Sequence, residues 1–535
     1  MKEARLCCVF SMRFLEGPRQ SDVMVIKILF IVLFLVMTIG VGVYCRKKAT
    51  DVNGFVLGGR AVGPWLTAFS FGTSYFSAVI FVGYAGQFGW NFGLASTWIG
   101  LGNALIGSFL AWVVLGRRTR VMTQHLSSAT MPDFFEKRYD SKALKIAAAA
   151  ITFVFMIPYT ASLYNGLSRL FSMAFPIDYW VCVVVMAVVT ALYVVLSGYV
   201  GTALNSFIQG VIMLVGIVVV VFAVLNAHGG FTESVELLSQ VEPVGDYTSI
   251  FGPDPIALLG VVLLTSLGTW GLPQMIGKFY AIKDEKSIKT GTIVSTVFAV
   301  IVAGGCYFLG GFGRIFMTGE QVSKMGFDSI IPSMLESINS DVVIALVIML
   351  VLAASMSTLS SLVLTSSATL VLDFAAPMKK TPMKEKTKML WMRVFLVFFI
   401  VVSAGIAILQ ANTKVAFITD LMGISWGTMS GAFLGPFMLG LYWKRATKPA
   451  VWASFIFSVA ANVTFMVFKL TGNVEMLPKL LQASSNVGVI AMLSGIVLVI
   501  LISLLTKKPE DKVINEKFSC YEKQVTVKAK NSLSE

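Results

Sequence analysis

The sequence predicts an all-α polytopic membrane protein of about thirteen transmembrane helices, N-terminus out and C-terminus in, built on a core of two inverted five-helix repeats. Three observations predict it. Of 535 residues, 56% are hydrophobic and only 13% charged, with mean hydropathy +0.81, whereas a soluble domain carries about a quarter charged residues. Long uncharged runs recur, each near the ~20 residues that cross a bilayer. Two of these runs, five spans apart, are interrupted by small, hydroxyl and proline residues at matching places.

A polar start (1–24) contains Met12 and Met24, and translation from Met24 fits the composition as well as translation from Met1. The first apolar run, 25–45, is trailed by Arg46-Lys47-Lys48. A signal peptide would carry its charge in front, so this run reads as an uncleaved helix. Further spans are expected at 64–86, 93–116, 146–171, 177–197, 204–227, 253–276, 290–315, 341–373, 391–410, 415–441, 449–470 and 486–506. Short interfacial helices are expected in 228–252 and 317–340. The basic tail, 507–535, reads as a solvated, disordered end near anionic lipid.

Charge sets the orientation. With the N-terminus outside, the segments 46–63, 117–145, 277–289, 374–393, 442–448 and the tail face inward, and they hold 31 of the 42 Lys and Arg residues. Positive charge marks cytoplasmic loops, and an even number of spans would lose the asymmetry. The net charge of +14 therefore belongs to loops at a membrane surface, and no nucleic-acid partner is expected. Cys7, Cys8, Cys45, Cys182, Cys306 and Cys520 have no zinc or redox spacing.

The second span contains Phe69-Ser70-Phe71-Gly72-Thr73-Ser74-Tyr75-Phe76-Ser77-Ala78, and the seventh Ser266-Leu267-Gly268-Thr269-Trp270-Gly271-Leu272-Pro273-Gln274. Irregular backbone at this depth survives only where it lines a cavity or binds something. Interrupted helices at matching places in two halves point to the central site of a transporter. A third polar patch, Ala353 to Ser361, lies in the ninth span. On a helix the Ser357 and Thr358 hydroxyls fall beside the carbonyl of Ala354. Two carbonyls from the broken second span would complete five neutral oxygens, a set suited to an alkali cation rather than a transition metal. No Asp, Glu, His, Lys or Arg is read in the middle of a span. Proton coupling needs a titratable group there, so the expected coupling ion is sodium. Neither GxxxxGK[ST] nor HExxH occurs, and no enzyme is expected.

At these residues the chain resembles the sodium:solute symporter family, most closely its bacterial sodium/pantothenate and sodium/proline branches. The matching stretches are Leu57-Gly58-Gly59-Arg60, Gly72–Ser77, Ser197–Gly210, Gly271–Gln274, Ala353–Ser361 and Leu439–Thr447. The resemblance covers about 25–506. It implies a LeuT-type 5+5 core with repeats over about 64–227 and 253–441, working by alternating access in the cell membrane. Carried over by position, the family's common sodium site falls on the carbonyls of Thr73, Phe76 and Ala354 and the hydroxyls of Ser357 and Thr358. Some members hold a second sodium with an aspartate where this chain has Ser206, and sodium/proline members carry another where it has Tyr75. With Ser206, Ser360 and Ser361 present but no carboxylate, one sodium per cycle is expected.

The solute is expected between the broken helices, near Ser74, Tyr75, Ser77, Tyr159, Trp270, Gln274 and Trp426. With no Lys or Arg read inside a span, a carboxylate would depend on half-helix N-termini and the sodium ion. A zwitterionic amino acid such as proline, or a small monocarboxylate such as pantothenate, fits that setting. One charge crossing 100 mV releases about 2.3 kcal/mol, and a tenfold gradient adds about 1.4 kcal/mol. Together these could concentrate a neutral solute a few hundred-fold. A solute sensor and a sodium-conducting channel are the alternatives on the same fold; the channel predicts current without solute. No obligate protein partner is expected.

Overall fold

Backbone groups that leave water for lipid must bond within their own segment, so charge-free runs form helices. The computed structural model describes residues 20–175, 177–338, 340–411 and 418–521, which excludes most of the polar start and the last part of the tail. Among the described residues there is no strand, only one parallel bridge between Val62 and Ile282. The first half contains α1 (Gln20–Cys45), α2 (Pro64–Tyr75), α3 (Met131–Tyr139), α4 (Lys142–Ala174) and α5 (Tyr179–Asn226). The second contains α6 (Pro255–Ser266), α7 (Pro273–Ala281), α8 (Glu285–Ala299), α9 (Asp341–Thr369), α10 (Glu385–Ala411) and α11 (Ile418–Tyr442). Then follow α12 (Lys448–Leu470), α13 (Ser484–Leu505) and α14 (Asp511–Phe518). Short helices cover Phe231–Ser239, Gly319–Met325 and Ile330–Glu336.

Among the described residues nine helices are long and apolar enough to cross a membrane, or ten if a bent pair counts as one span. Two of the nine are far longer than a bilayer needs. A straight α5 of 48 residues would run about 72 Å, against a ~30 Å hydrocarbon core. It is two helices joined at a kink at Gly198, whose φ of 53° and ψ of −149° an L side chain resists. A Cβ there would lie 2.8 Å from the Phe55 ring. The run 79–125 is divided in the same way at Gly93, with φ 60°, where a Cβ would come within 2.2 Å of the Tyr247 carbonyl.

Both expected interruptions are present. α2 stops at Tyr75, Phe76 is extended (φ −81°, ψ 123°), and helix resumes by Val79. After α6 a tight 3₁₀ stretch, Leu267–Gly271, leads to extended Leu272, and Pro273 opens α7 at 49° to the preceding half. Proline suits the first turn of a helix, where its missing N–H has no partner to lose.

One end of the molecule gathers the basic loops, and there the two interrupted helices are tied together. Val62 N donates to Ala281 O at 3.2 Å, and Lys283 N to Val62 O at 3.1 Å. Arg60 donates to Ser128 O (2.5 Å), Tyr280 O (3.2 Å) and Thr123 Oγ1 (3.3 Å). The tail departs from expectation on this face. Within 507–521 the chain forms α14, which buries Ile514 and Phe518. Lys517 pairs with Asp140 at 2.6 Å, and the Arg138 guanidinium lies over the Phe518 ring. Its charge density looked like disorder, but the apolar side of one short helix found a partner surface.

Candidate functional site

The break in α2 frees carbonyls that a continuous helix would use, and α9 supplies hydroxyls to meet them. Ser357 Oγ lies 3.1 Å from Thr73 O and 3.0 Å from Ala354 O. Thr358 Oγ1 lies 3.1 Å from Thr73 O, 3.2 Å from Phe76 O and 3.1 Å from Ala354 O. Five oxygens, two hydroxyl and three carbonyl, thus converge where the broken helix crosses α9, and both hydroxyl side chains are fully buried. The set is hard and neutral, which suits an alkali cation. Among the described residues no three His, Cys, Asp or Glu side chains gather to hold a metal ion.

Beside the break lies an aromatic cluster. Tyr75 and Trp426 meet at a tilt of 50° with ring centroids 5.7 Å apart, and Tyr159 meets Trp426 edge-on at 6.0 Å. Tyr159 OH lies beside Trp426 and Ser77, and Tyr75 OH beside Tyr307. Tyr75 OH, Ser77 Oγ, Tyr159 OH and Trp426 Nε1 nevertheless close no hydrogen bond of normal geometry. Buried polar atoms are almost always paired, so these four leave hydrogen-bonding capacity unused beside the break. Pro158, inside α4, sits next to Tyr159.

The remaining expected residues are placed differently. Trp270 donates Nε1 to Ile106 O at 3.0 Å and so faces the third span. Ser74 donates to Ser70 O and shares a 2.7 Å hydrogen bond with Ser361. Gln274 lines a cavity of about 40 Å³ with Tyr199, Lys278 and Ser361. Of the three residues of the possible second ion position, Ser360 donates to Ser357 O, Ser361 Oγ accepts from Lys278, and Ser206 Oγ closes no hydrogen bond.

The partner of Ser361 corrects an expectation. No Lys was expected buried within a span, yet Lys278 is 4% exposed and its Nζ donates to Ser361 Oγ at 3.0 Å. Lys278 belongs to α7, the second half of the bent pair, rather than to a basic loop. The signal was in the spacing: Lys278 follows Gln274 by four residues, so both lie on one face of the helix. A polar seam also escaped notice. Ser266 Oγ bonds Asn103 Oδ1 (3.0 Å), Ser108 bonds Ser295 (2.9 Å), and Thr269 reaches Gly107 O, stitching the third span to the second break and to α8.

The basic face carries a buried ion network. Lys145 pairs with Asp133 at 2.6 Å, Glu136 at 2.8 Å and Asp373 at 3.7 Å. Thr130, which caps α3, donates to Asp373 at 2.6 Å. Burial alone would push the Asp133 carboxyl up, but Lys145 and Lys137 together hold it below its ordinary value.

Residues 55–457 match the sodium:solute symporter family. Similar proteins include the osmoregulated proline transporter OpuE of Bacillus subtilis, 29% identical over 89% of this chain and 94% of the relative. The sodium/proline symporter 2 of Staphylococcus saprophyticus is 27% identical over 91% of this chain and 94% of its own length. Among solved structures, a Na⁺-coupled sialic acid symporter in a substrate-bound outward-open state superposes with a TM-score of 0.72 at 16% identity, covering 91% of this chain and 99% of that one.

Proposed function

This chain belongs to the sodium:solute symporter family, and from that premise we propose that it imports a small carboxylate-bearing solute, proline being the first to test. It is a multi-pass protein of the cell membrane with a sodium-symporter fold. The family and the similar proteins named above are transporters, not enzymes. The observation that carries the proposal is the cluster of Thr73, Phe76 and Ala354 carbonyls with the Ser357 and Thr358 hydroxyls. Sodium enters this nest as a co-transported substrate and ties the broken second span to α9. The solute binds next to it, against Tyr75, Ser77, Tyr159 and Trp426. One sodium moves per cycle: the Lys278 ammonium sits on Ser361, and two like charges about 4 Å apart repel by roughly 4 kcal/mol at an effective dielectric of 20.

Thirteen crossings with the basic face in the cytoplasm fit the helices. Splitting 64–125 at Gly93 and α5 at Gly198, counting the bent pair once and including α11 gives that number. The transmembrane domain is then 25–506, with the tail inside. Alternating access would part the bonds of Arg60, Val62 and Lys283 on the inner face as the outer face closes.

Proteoliposomes test the reading. Labelled proline and labelled pantothenate are offered under an inward sodium gradient, a potassium gradient and a pH gradient. Accumulation of a solute only under the sodium gradient is expected. Equal accumulation in choline, or sodium current with no solute present, would overturn it.

A further inference from the structure

The face of α7 turned toward α9 carries a charge that neither the cation nest nor the aromatic cluster uses. Lys278 is buried, and among the described residues no carboxylate lies within ion-pair distance of its ammonium. It makes one hydrogen bond, to Ser361 Oγ, and lies 5.2 Å from the centre of the Tyr199 ring. An ammonium has three N–H donors, and a buried charge without a counter-charge is strongly unfavourable. Ionisable groups kept at such cost within a membrane mark function.

What surrounds Lys278 narrows the ligand. Gln274, one turn earlier and 2% exposed, leaves both amide atoms unpartnered, as does the Tyr199 hydroxyl. All three residues line the same cavity with Ser361. The two remaining N–H donors of the ammonium, one amide N–H₂ and one phenol O–H outnumber the single unused acceptor, Gln274 Oε1, and carry a net positive charge. That set calls for an anionic acceptor with two oxygens, since charge-assisted hydrogen bonds are the strong ones. It disfavours a second cation. The cavity, about 40 Å³, holds roughly three waters, which suits a carboxylate group rather than a whole amino acid. It is lined also by Leu57, Thr130 and Met131, from the segments of the basic face.

We propose that Lys278, Gln274 and Tyr199 form a carboxylate subsite on the basic-face side of the second break, where the solute's carboxylate pairs with Lys278. The inference rests on the import of a carboxylate-bearing solute proposed above, and names the group that recognises it. Ser361 links this subsite to the cation nest, because it bonds Ser74, the residue after Thr73, and lies one turn beyond Ser357 and Thr358 on α9.

The test compares wild type, Lys278→Met and Lys278→Arg in proteoliposomes, with proline as substrate, prolinamide as the analogue lacking the carboxylate, and acetate and chloride as free anions. Lys278→Met is expected to raise the KM for proline at least about tenfold, to leave weak inhibition by prolinamide unchanged, and to keep the sodium-induced thermal shift that reports a folded protein. Lys278→Arg is expected to recover most of the affinity. An unchanged KM in Lys278→Met, or undiminished preference for proline over prolinamide, would overturn the subsite while leaving sodium-driven import standing. Inhibition of wild type by acetate or chloride as strong as by proline would also overturn it, as a general anion site. A wild type that accumulates no carboxylate solute under a sodium gradient overturns the proposed function and this subsite with it.

Discussion

Replacing Ser357 and Thr358 together by alanine removes two of the five oxygens in the nest and leaves the three carbonyls. A hydrogen bond or dipole contact to a charged group is worth about 1.5–3 kcal/mol, so the sodium-bound state loses about 3–6 kcal/mol. The sodium-free state loses something too, because there the same hydroxyls hold the Thr73, Phe76 and Ala354 carbonyls. At about 0.5–1.5 kcal/mol for each neutral bond network, that offset is about 1–3 kcal/mol. The net, roughly 2–3 kcal/mol, corresponds to a 30- to 150-fold weaker sodium affinity. The assay is the half-saturating sodium concentration for solute uptake in proteoliposomes, with the sodium-induced thermal shift as a second measure. Ser355→Ala is the control: Ser355 is buried on the same helix with an unpartnered hydroxyl and is not part of the nest. It should stay within about twofold of wild type. A double mutant whose sodium dependence moves less than threefold would refute the assignment.

Three further outcomes are expected. Tyr159→Phe keeps the ring against Trp426 but removes a hydroxyl that closes no hydrogen bond of normal geometry, so solute KM should rise about five- to tenfold, one neutral hydrogen bond's worth, with sodium dependence in thermal shift unaltered. Because the Asp133 carboxyl is held below its ordinary value when folded, its ion pairs contribute stability in full at neutral pH and lose it as pH falls below the usual carboxylate range through the lowered value. Asp133→Asn should lower the melting temperature at pH 7 and flatten the acid limb of a melting-temperature-against-pH curve; parallel curves would contradict this. Phe518→Ala strips the buried ring from under Arg138, about 2 kcal/mol of docking, and limited trypsin digestion should then cut at Lys507 and Lys508 faster than in wild type.

The five-oxygen cluster was legible in the sequence because its parts are local. A serine and threonine beside their own helix's carbonyl, and a glycine- and serine-rich interruption, are features of consecutive residues, and the family resemblance joined them across the chain. The residues proposed to meet the solute were legible only by type. Tyr75, Ser77, Tyr159 and Trp426 come together, but Trp270 donates its indole N–H to Ile106 O. Lys278 was hidden by its neighbourhood: Lys283, Lys286 and Lys289 follow it, and hydropathy averaged over that stretch reads as a loop. Only the turn count from Gln274 separates it from them.

By itself, then, the sequence determined the uncharged lengths that must be helices, the two places where they break, the hydroxyl and carbonyl oxygens that meet where the second span breaks and the loops in which positive charge collects. These follow from hydrogen bonding and transfer free energy within a single segment, which no neighbour can reverse. The tertiary structure decided which buried polar groups find partners: Lys278 on Ser361, Ser74 on the same hydroxyl, Arg60 on the Ser128 and Tyr280 carbonyls and the Thr123 hydroxyl, and the tail helix on Arg138. Such pairings join residues up to hundreds of positions apart. Their geometry exists only once the helices have packed.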